Sequence, residues 1–207
     1  MFVIEIHDLC KSFEDTILFN NLNLTIDDGE FIVFSGVSGC GKTTLLNMIG
    51  GIEKVDAGKI IVDGLDITNK KSQLFYFRHK VGFLFQNYAL VDNKTVRENL
   101  NLIKNNCRNN VTIEEVLEKV SLLDKIDDKV YRLSGGEQQR VALARLMLKK
   151  CDIILADEPT GSLDKENADV VIDLLKQMNV QQKIVIMVTH DRHYMNIGSR
   201  NIEISNL

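Results

Sequence analysis

The sequence predicts an α/β fold built around a mainly parallel sheet. One observation is a pair of short, continuous apolar runs at 153–156 and 184–188, which are typical of parallel strands buried on both faces. Another is a glycine-rich loop at 36–43 that follows the apolar run 31–34 and precedes a helical pattern. In addition, strand and helix patterns alternate again from Asp152 onward, as they do in α/β proteins.

The N-terminal region predicts a separate, antiparallel β part. Residues 2–9 and 18–26 alternate or run apolar, as strands do. The polar segment 27–30 is expected to turn into the strand that leads to the glycine-rich loop.

The central region predicts a helical insertion in a single domain. The 207 residues, 44% of them hydrophobic, can bury one good core. Between two stretches of core, helix-like pieces at 96–103 and 113–120 flank a polar loop. The expected boundaries are 1–207 for the domain, 1–86 and 152–207 for the core, and 87–151 for the helical subdomain.

The glycine-rich loop fits the phosphate-binding template G-x-x-x-x-G-K-[ST] in the strand, loop, helix context that supports it. Glycines let the backbone point N–H groups at phosphate oxygens, a lysine reaches the terminal phosphates, and a hydroxyl ligates Mg²⁺. Lys42 and Thr43 fill the last two roles. A plain glycine-rich turn is the alternative, which the match of residue types outweighs. The predicted loop residues are Gly36, Val37, Ser38, Gly39, Cys40, Gly41, Lys42, Thr43 and Thr44.

A second motif, Ser134-Gly135-Gly136-Glu137, begins a stretch with helical apolar spacing. One interpretation is a capping box, with Ser134 as the N-cap and Glu137 three residues on. However, two glycines in a first helical turn each cost about 1 kcal/mol of helix propensity. Close approach of the backbone to a phosphate explains them, because a helix N-terminus binds anions. We expect the cap and the ligand site together.

Two carboxylates follow the apolar run 153–156, at the strand end where open α/β sheets hold ligands. Asp157 is expected to hold Mg²⁺, mostly through water. Glu158 is expected to orient and deprotonate an attacking water. A merely solvated acidic strand end is the alternative, which the following Pro159-Thr160-Gly161 disfavours.

These motifs resemble the ATP-binding subunit of an ABC transporter along essentially the whole chain. The resemblance implies that the serine-glycine-glycine segment of one copy closes over ATP held by the phosphate loop of another. It therefore implies a head-to-tail dimer, of two identical or two different chains, with ATP and Mg²⁺ as cofactors and hydrolysis coupled to transport.

The resemblance also implies roles for further residues. Gln86 would touch the metal and the nucleophilic water and couple the site to a membrane partner, and His190 would contact the terminal phosphate. The other histidines, His7, His79 and His193, are expected to be structural. The implied catalytic set is Glu158, His190, Gln86 and Lys42, the metal set is Thr43, Gln86 and Asp157, and the nucleotide set adds Phe13, Ser134, Gly135, Gly136 and Glu137 to the phosphate loop.

Two of the implied roles compete with simpler ones. Phe13 stands where the family stacks an aromatic ring, often tyrosine, on adenine, and a core phenylalanine is the alternative. Asp164, in the segment Ser162-Leu163-Asp164, would contact the opposite subunit, and a helix N-cap is the alternative.

The segments 88–91, 95–100 and 156–164 are similar in sequence to ATPases of the macrolide-efflux and lipoprotein-release type. This implies a separate integral membrane permease, export or extrusion of a peptide, lipoprotein or drug-like substrate, and a peripheral location on the cytoplasmic face of the membrane. Prolines usual in the family are absent near Val91-Asp92 and shortly before Leu133. Both positions face the permease in that family.

Composition excludes several classes. No apolar run reaches the length of a membrane span, and no leader pattern is present. Net charge is −4 with dispersed lysines and arginines, so no nucleic-acid partner is expected. Four scattered cysteines predict reduced thiols. Cys40 lies inside the phosphate loop, and we expect its alkylation to block ATP binding.

Other nucleotide-binding classes fit less well. A small-molecule kinase has no use for the second glycine motif or for Asp157-Glu158 followed by His190. A regulatory GTPase needs N-K-x-D, and Asn93-Lys94-Thr95-Val96 fails at its last position. A non-transport ABC ATPase acting on nucleic acid or ribosomes shares every catalytic motif, but such proteins usually carry coiled coils, a zinc module or a second cassette.

Overall fold

A computed structural model describes residues 3–14, 16–161 and 163–204. The strands are β1 Val3–Phe13, β2 Thr16–Asp27, β3 Phe31–Ser35, β4 Ala57–Val62, β5 Leu65–Asp66, β6 Val81–Leu84, β7 Ile153–Asp157, β8 Ile184–Val188 and β9 Arg200–Glu203. The α-helices are α1 Lys42–Ile49, α2 Lys70–His79, α3 Val96–Leu100, α4 Ile113–Lys119, α5 Gly135–Leu148 and α6 Lys165–Val180.

The central sheet has five strands in the order β6-β7-β8-β3-β9, and every neighbouring pair is parallel. Both β3 and β8 are buried along their whole length, which explains their uninterrupted apolar sequences. Because all these strands run the same way, their carboxyl ends meet at one edge. The predicted α/β class with a mainly parallel sheet is confirmed.

The N-terminal part forms a four-stranded antiparallel sheet in the order β2-β1-β4-β5. The prediction of antiparallel strands here is confirmed, although β1 extends to Phe13 and Phe2 lies outside the described residues. The turn at 27–30 is present, with the Glu30 amide donating to the Asp27 carbonyl at 3.2 Å. Strand β4 escaped sequence analysis because its first half is exposed and lacks an alternating pattern.

Alternate residues of the central strands face two separate layers. Ile32, Phe34 and Leu155 pack with α1 and the antiparallel sheet. Val33 and Ile154, one residue away, pack with α5 and α6 on the opposite face. This alternation follows from the two-residue repeat of a β-strand and gives the molecule three layers.

The region between β6 and β7 contains α3, α4 and α5. Each of these helices begins with a complete capping box, at Thr95, Thr112 and Ser134. Their apolar residues, including Leu100 and Leu117, join the core layer shared with α6. Among the described helices, none is long and apolar enough to cross a bilayer.

Candidate functional site

An open pocket of about 370 Å³ lies at the carboxyl edge of the central sheet. It brings together residues that the sequence predicts for one site, from four separate segments of the chain. They are Ser38, Gly39, Gly41, Lys42, Thr43, Thr44, Gln86, Glu158 and His190. The parallel register of β3, β6, β7 and β8 places these strand ends side by side.

The loop between β3 and α1 depends on left-handed glycines. Gly36, Gly39 and Gly41 have φ angles of 138°, 83° and 99°, where a side chain is strained. A Cβ on Gly41 would also lie 2.9 Å from Cζ of the buried Phe19. Gly41 is the N-cap of α1 and makes no side-chain cap bond, so the start of this helix offers main-chain N–H groups to an anion.

Lys42 extends back along the same loop and is buried. Its Nζ donates to the carbonyls of Gly36 at 2.9 Å and Val37 at 2.8 Å. The Sγ of the half-buried Cys40 lies 3.8 Å from the same ammonium. One lysine thus places a positive charge at the centre of a curled loop.

Asp157, at the end of β7, accepts a hydrogen bond from Thr43 Oγ1 at 2.9 Å. Burial raises the pKa of the Asp157 carboxyl, the Thr43 hydrogen bond opposes this, and the neighbouring Glu158 charge adds to the rise. A cation beside Asp157 would offset the cost of burying its charge.

These donors fit Mg²⁺. Thr43, Asp157 and Gln86 supply hydroxyl, carboxylate and amide oxygens, which are the hard ligands that Mg²⁺ takes. Within the described residues no three His, Cys, Asp or Glu side chains converge as a metal cage. Mg²⁺ does not need one, since it keeps several waters and takes oxygens from bound phosphates.

Glu158 is held in a strained conformation with one oxygen left free. Its φ is 45°, and its amide donates to the Val188 carbonyl at 3.0 Å. Oε1 lies 2.8 Å from Nδ1 of His190, an exposed side chain. Oε2 is buried and has no hydrogen-bond partner in the described structure. The Glu158 side chain lines the pocket, so its carboxylate is placed to accept a proton from a water bound there.

Phe13 ends β1 with 46% of its surface exposed, so it is not a core side chain. The Lys11 ammonium lies 4.6 Å from the centroid of its ring. The residues that line the pocket do not include Phe13. The adenine-stacking role therefore stays a prediction.

The Ser134-Glu137 segment is also absent from the pocket lining. The capping box is present: Ser134 Oγ accepts from the Glu137 amide at 3.3 Å, and Glu137 Oε2 accepts from the Ser134 amide at 2.7 Å. Close packing within the same chain also favours glycine at positions 135 and 136. A Cβ on Gly135 would lie 3.3 Å from the Tyr88 hydroxyl, and one on Gly136 would lie 3.2 Å from the Asn167 amide carbon.

Asp164 is the N-cap of α6, which was the simpler of its two interpretations. Its carboxylate accepts from the Asn167 amide at 2.9 Å and from the Asn167 side chain. A dimer contact through Asp164 stays a prediction, and Ser162 lies outside the described residues.

Two residues of α5 that no sequence motif singles out contact the backbone next to residues of the pocket. Gln139 donates to the carbonyl of Pro159, the residue after Glu158, at 2.7 Å. Arg145 donates to the carbonyl of Tyr88, two residues after Gln86, at 2.8 Å, and also to that of Ala89. The sequence around both residues shows only an ordinary helical pattern, so their contacts become visible only in the tertiary structure.

The ABC transporter family model matches residues 19–161 of the chain. The chain is 35% identical to the macrolide export ATP-binding/permease protein MacB of Campylobacter jejuni, covering 98% of this chain and 33% of MacB. It is 38% identical to the lipoprotein-releasing system ATP-binding protein LolD 1 of Chlorobium chlorochromatii, covering 95% of this chain and 83% of LolD 1. The chain thus spans about a third of the MacB proteins.

Solved structures agree with this kinship. A dimeric bacterial ABC transporter cassette, MJ0796, superposes with a TM-score of 0.85 at 33% identity, covering 97% of this chain and 93% of MJ0796. A second dimeric MJ0796 structure, in a post-hydrolysis state with ADP and Pi, has a TM-score of 0.84 at 32% identity over the same shares of the two chains.

Proposed function

The chain belongs to the ABC transporter family as an ATP-hydrolysing cassette, and we propose that two chains close head-to-tail around two Mg-ATP to drive a membrane permease. The observation that carries this proposal is the separation of two glycine-rich helix starts. The phosphate loop lines a pocket with Gln86, Glu158 and His190, whereas the Ser134 helix start lies outside it. The Ser134 helix start of a second chain would close the open side of this pocket.

The residues of the pocket support a specific division of labour. Loop amides and the Lys42 ammonium hold the phosphate oxygens and stabilise negative charge that develops during transfer. The Glu158 carboxylate accepts the proton of the attacking water, and His190 contacts its Oε1 and holds the group in place. Bound at Thr43 and Asp157, Mg²⁺ would neutralise phosphate charge.

The relatives support a transport role of a particular kind. Proteins that resemble this chain are named for macrolide export and for lipoprotein release. We therefore propose extrusion of a peptide, lipoprotein or drug-like substrate through a permease, with this chain bound at the cytoplasmic face of the membrane. Such docking needs no membrane span in the cassette.

Glu158→Gln tests the catalytic assignment and the dimer together. The variant keeps the shape of the site but cannot take a proton, so turnover should fall about 10²- to 10⁴-fold while ATP still binds. Light scattering coupled to gel filtration should show a dimer that forms only with ATP. Adding Lys42→Ala to the same variant should abolish the dimer. Wild-type turnover in Glu158→Gln would place the base elsewhere.

Purification from native membranes tests the transport proposal. A permease should co-purify with the tagged chain and raise its ATPase rate. Recovery of a ribosome or a nucleic-acid complex instead would favour a non-transport ABC ATPase.

A further inference from the structure

Gln139 lies in a buried environment, which disfavours a polar side chain. It lies in the second turn of α5 and is only 1% exposed. Its Nε2 donates to the Pro159 carbonyl at 2.7 Å, while its Oε1 is buried and has no partner among the described residues. A buried polar atom without a partner costs at least as much stability as one hydrogen bond contributes. The side chain therefore adds little to stability.

The carbonyl that Gln139 holds belongs to Pro159, the residue that follows the proposed base Glu158. Glu158 has a φ of 45°, a conformation that a non-glycine residue keeps only where its surroundings enforce it. On one side the Glu158 amide is tied to the Val188 carbonyl. On the other side the only proline of the chain, Pro159, is tied to Gln139. The Glu158 carbonyl also accepts from the Gly161 amide at 3.1 Å, so three bonds together fix the backbone from which the Glu158 side chain projects.

We propose that Gln139 is a positioning residue for ATP hydrolysis, which holds the strained Glu158–Pro159 backbone so that the Glu158 carboxylate faces the attacking water. The inference rests on the proposed function, because it takes Glu158 as the base. It concerns the site of the same chain, although Gln139 lies on the helix whose start, Ser134, would complete the site of the partner.

Gln139→Leu separates positioning from structural support. Leucine has a similar volume and no donor, so the Glu158 backbone loses one tie while the packing stays. We expect kcat to fall at least tenfold, with KM for ATP within about threefold, because the lost tie affects the base and not the binding of ATP. The thermal midpoint should change little, since one unpaired atom is removed and the Pro159 carbonyl becomes unpaired.

Asn179→Leu is the matched control. The Asn179 amide also bridges to main-chain carbonyls, those of Gly29 at 2.8 Å and Lys183 at 2.9 Å, at the end of α6 and away from the pocket. This variant should lose stability and keep its kcat. Should Gln139→Leu fail to fold, Gln139→Met makes the same test with an unbranched side chain. An unchanged kcat in a folded Gln139 variant, or a change in KM alone, overturns the proposal.

Mixed dimers show which site Gln139 serves. The two chains of the dimer carry different tags, and one of them also carries Glu158→Gln. Only one site can then hydrolyse ATP, and it uses the phosphate loop and Glu158 of the other chain. Gln139→Leu placed in the chain with the intact Glu158 should lower turnover at least tenfold, and placed in the Glu158→Gln chain should leave it within twofold. A loss in the second arrangement would show action through the Ser134 helix start and overturn the proposal. Absence of any ATP-dependent dimer would instead remove the proposed function.

Discussion

The phosphate loop and the start of α5 are both glycine-rich helix starts, yet they differ in how the main-chain N–H groups of the first helical turn find hydrogen-bond partners. Gly41 caps α1 in the left-handed conformation without a side-chain bond. Ser134 caps α5 in an extended conformation with both bonds of the capping box made. The first helix start opens into a pocket of its own chain, and the second is completed internally and lies outside that pocket. Two glycine-rich helix starts thus differ in whether a side chain completes them, and only the first lines a pocket of its own chain.

Blocking the first helix start should have the largest effect. A bulky maleimide on Cys40, 3.8 Å from the Lys42 ammonium, would occupy the phosphate cradle and abolish measurable ATP binding. Titration with a fluorescent nucleotide measures this. In Cys40→Ala the partly exposed Cys10 remains available to the reagent, and ATP affinity should survive labelling. Unchanged affinity after stoichiometric labelling of Cys40 would contradict the assignment.

A methyl group at Gly41 should destabilise the cradle more than one at Gly39. Both glycines are left-handed, which costs a non-glycine residue about 1–2 kcal/mol. The Gly41 methyl would also meet Cζ of Phe19 at 2.9 Å, whereas the Gly39 methyl would meet no atom of the described residues within 4 Å. Urea unfolding should therefore show a larger loss for Gly41→Ala. Equal losses would mean that Phe19 moves aside freely.

Removing the cap of α5 should affect the dimer beyond its effect on folding. Ser134→Ala should cost about 1 kcal/mol of unfolding free energy, as is usual for a lost N-cap. Thr112→Ala is the control, because Thr112 makes the same capping box on α4. Both variants should lose similar stability, but only Ser134→Ala should weaken the ATP-dependent dimer in the Glu158→Gln background. If both weaken it alike, the Ser134 helix start has no special part in the dimer.

The smallest expected effect concerns pH. The hydrogen bond from Lys125, with that from the Ser134 amide, lowers the pKa of Glu137 to about 2. The stabilisation is complete above the ordinary glutamate pKa of about 4.3 and is lost as pH falls toward 2. Between pH 5 and pH 3 the thermal midpoint of the wild type should fall more than that of Glu137→Gln. Parallel curves would show that this pair adds nothing to stability.

Local sequence predicted the fold class and most of the pocket because the relevant signals are short in range. A short, continuous apolar run favours a buried strand, and a residue directly after such a strand lies at the edge of a parallel sheet. Helix α2 was missed because it buries only the Tyr76 side chain, and strand β4 was missed because its first half is exposed. The positions of α2 and β4 in the fold depend on packing against the core layer that each of them covers.

The phosphate cradle, the strand-end carboxylates and the capped start of α5 follow from the sequence alone, since each depends on residues adjacent in the chain. The neighbours that hold these features become visible only in the folded chain: Phe19 beneath Gly41, Val188 and Gln139 on either side of Glu158, and Asn167 against Gly136. The physical reason is that backbone conformation and capping are local, whereas contacts between distant segments depend on how the layers pack.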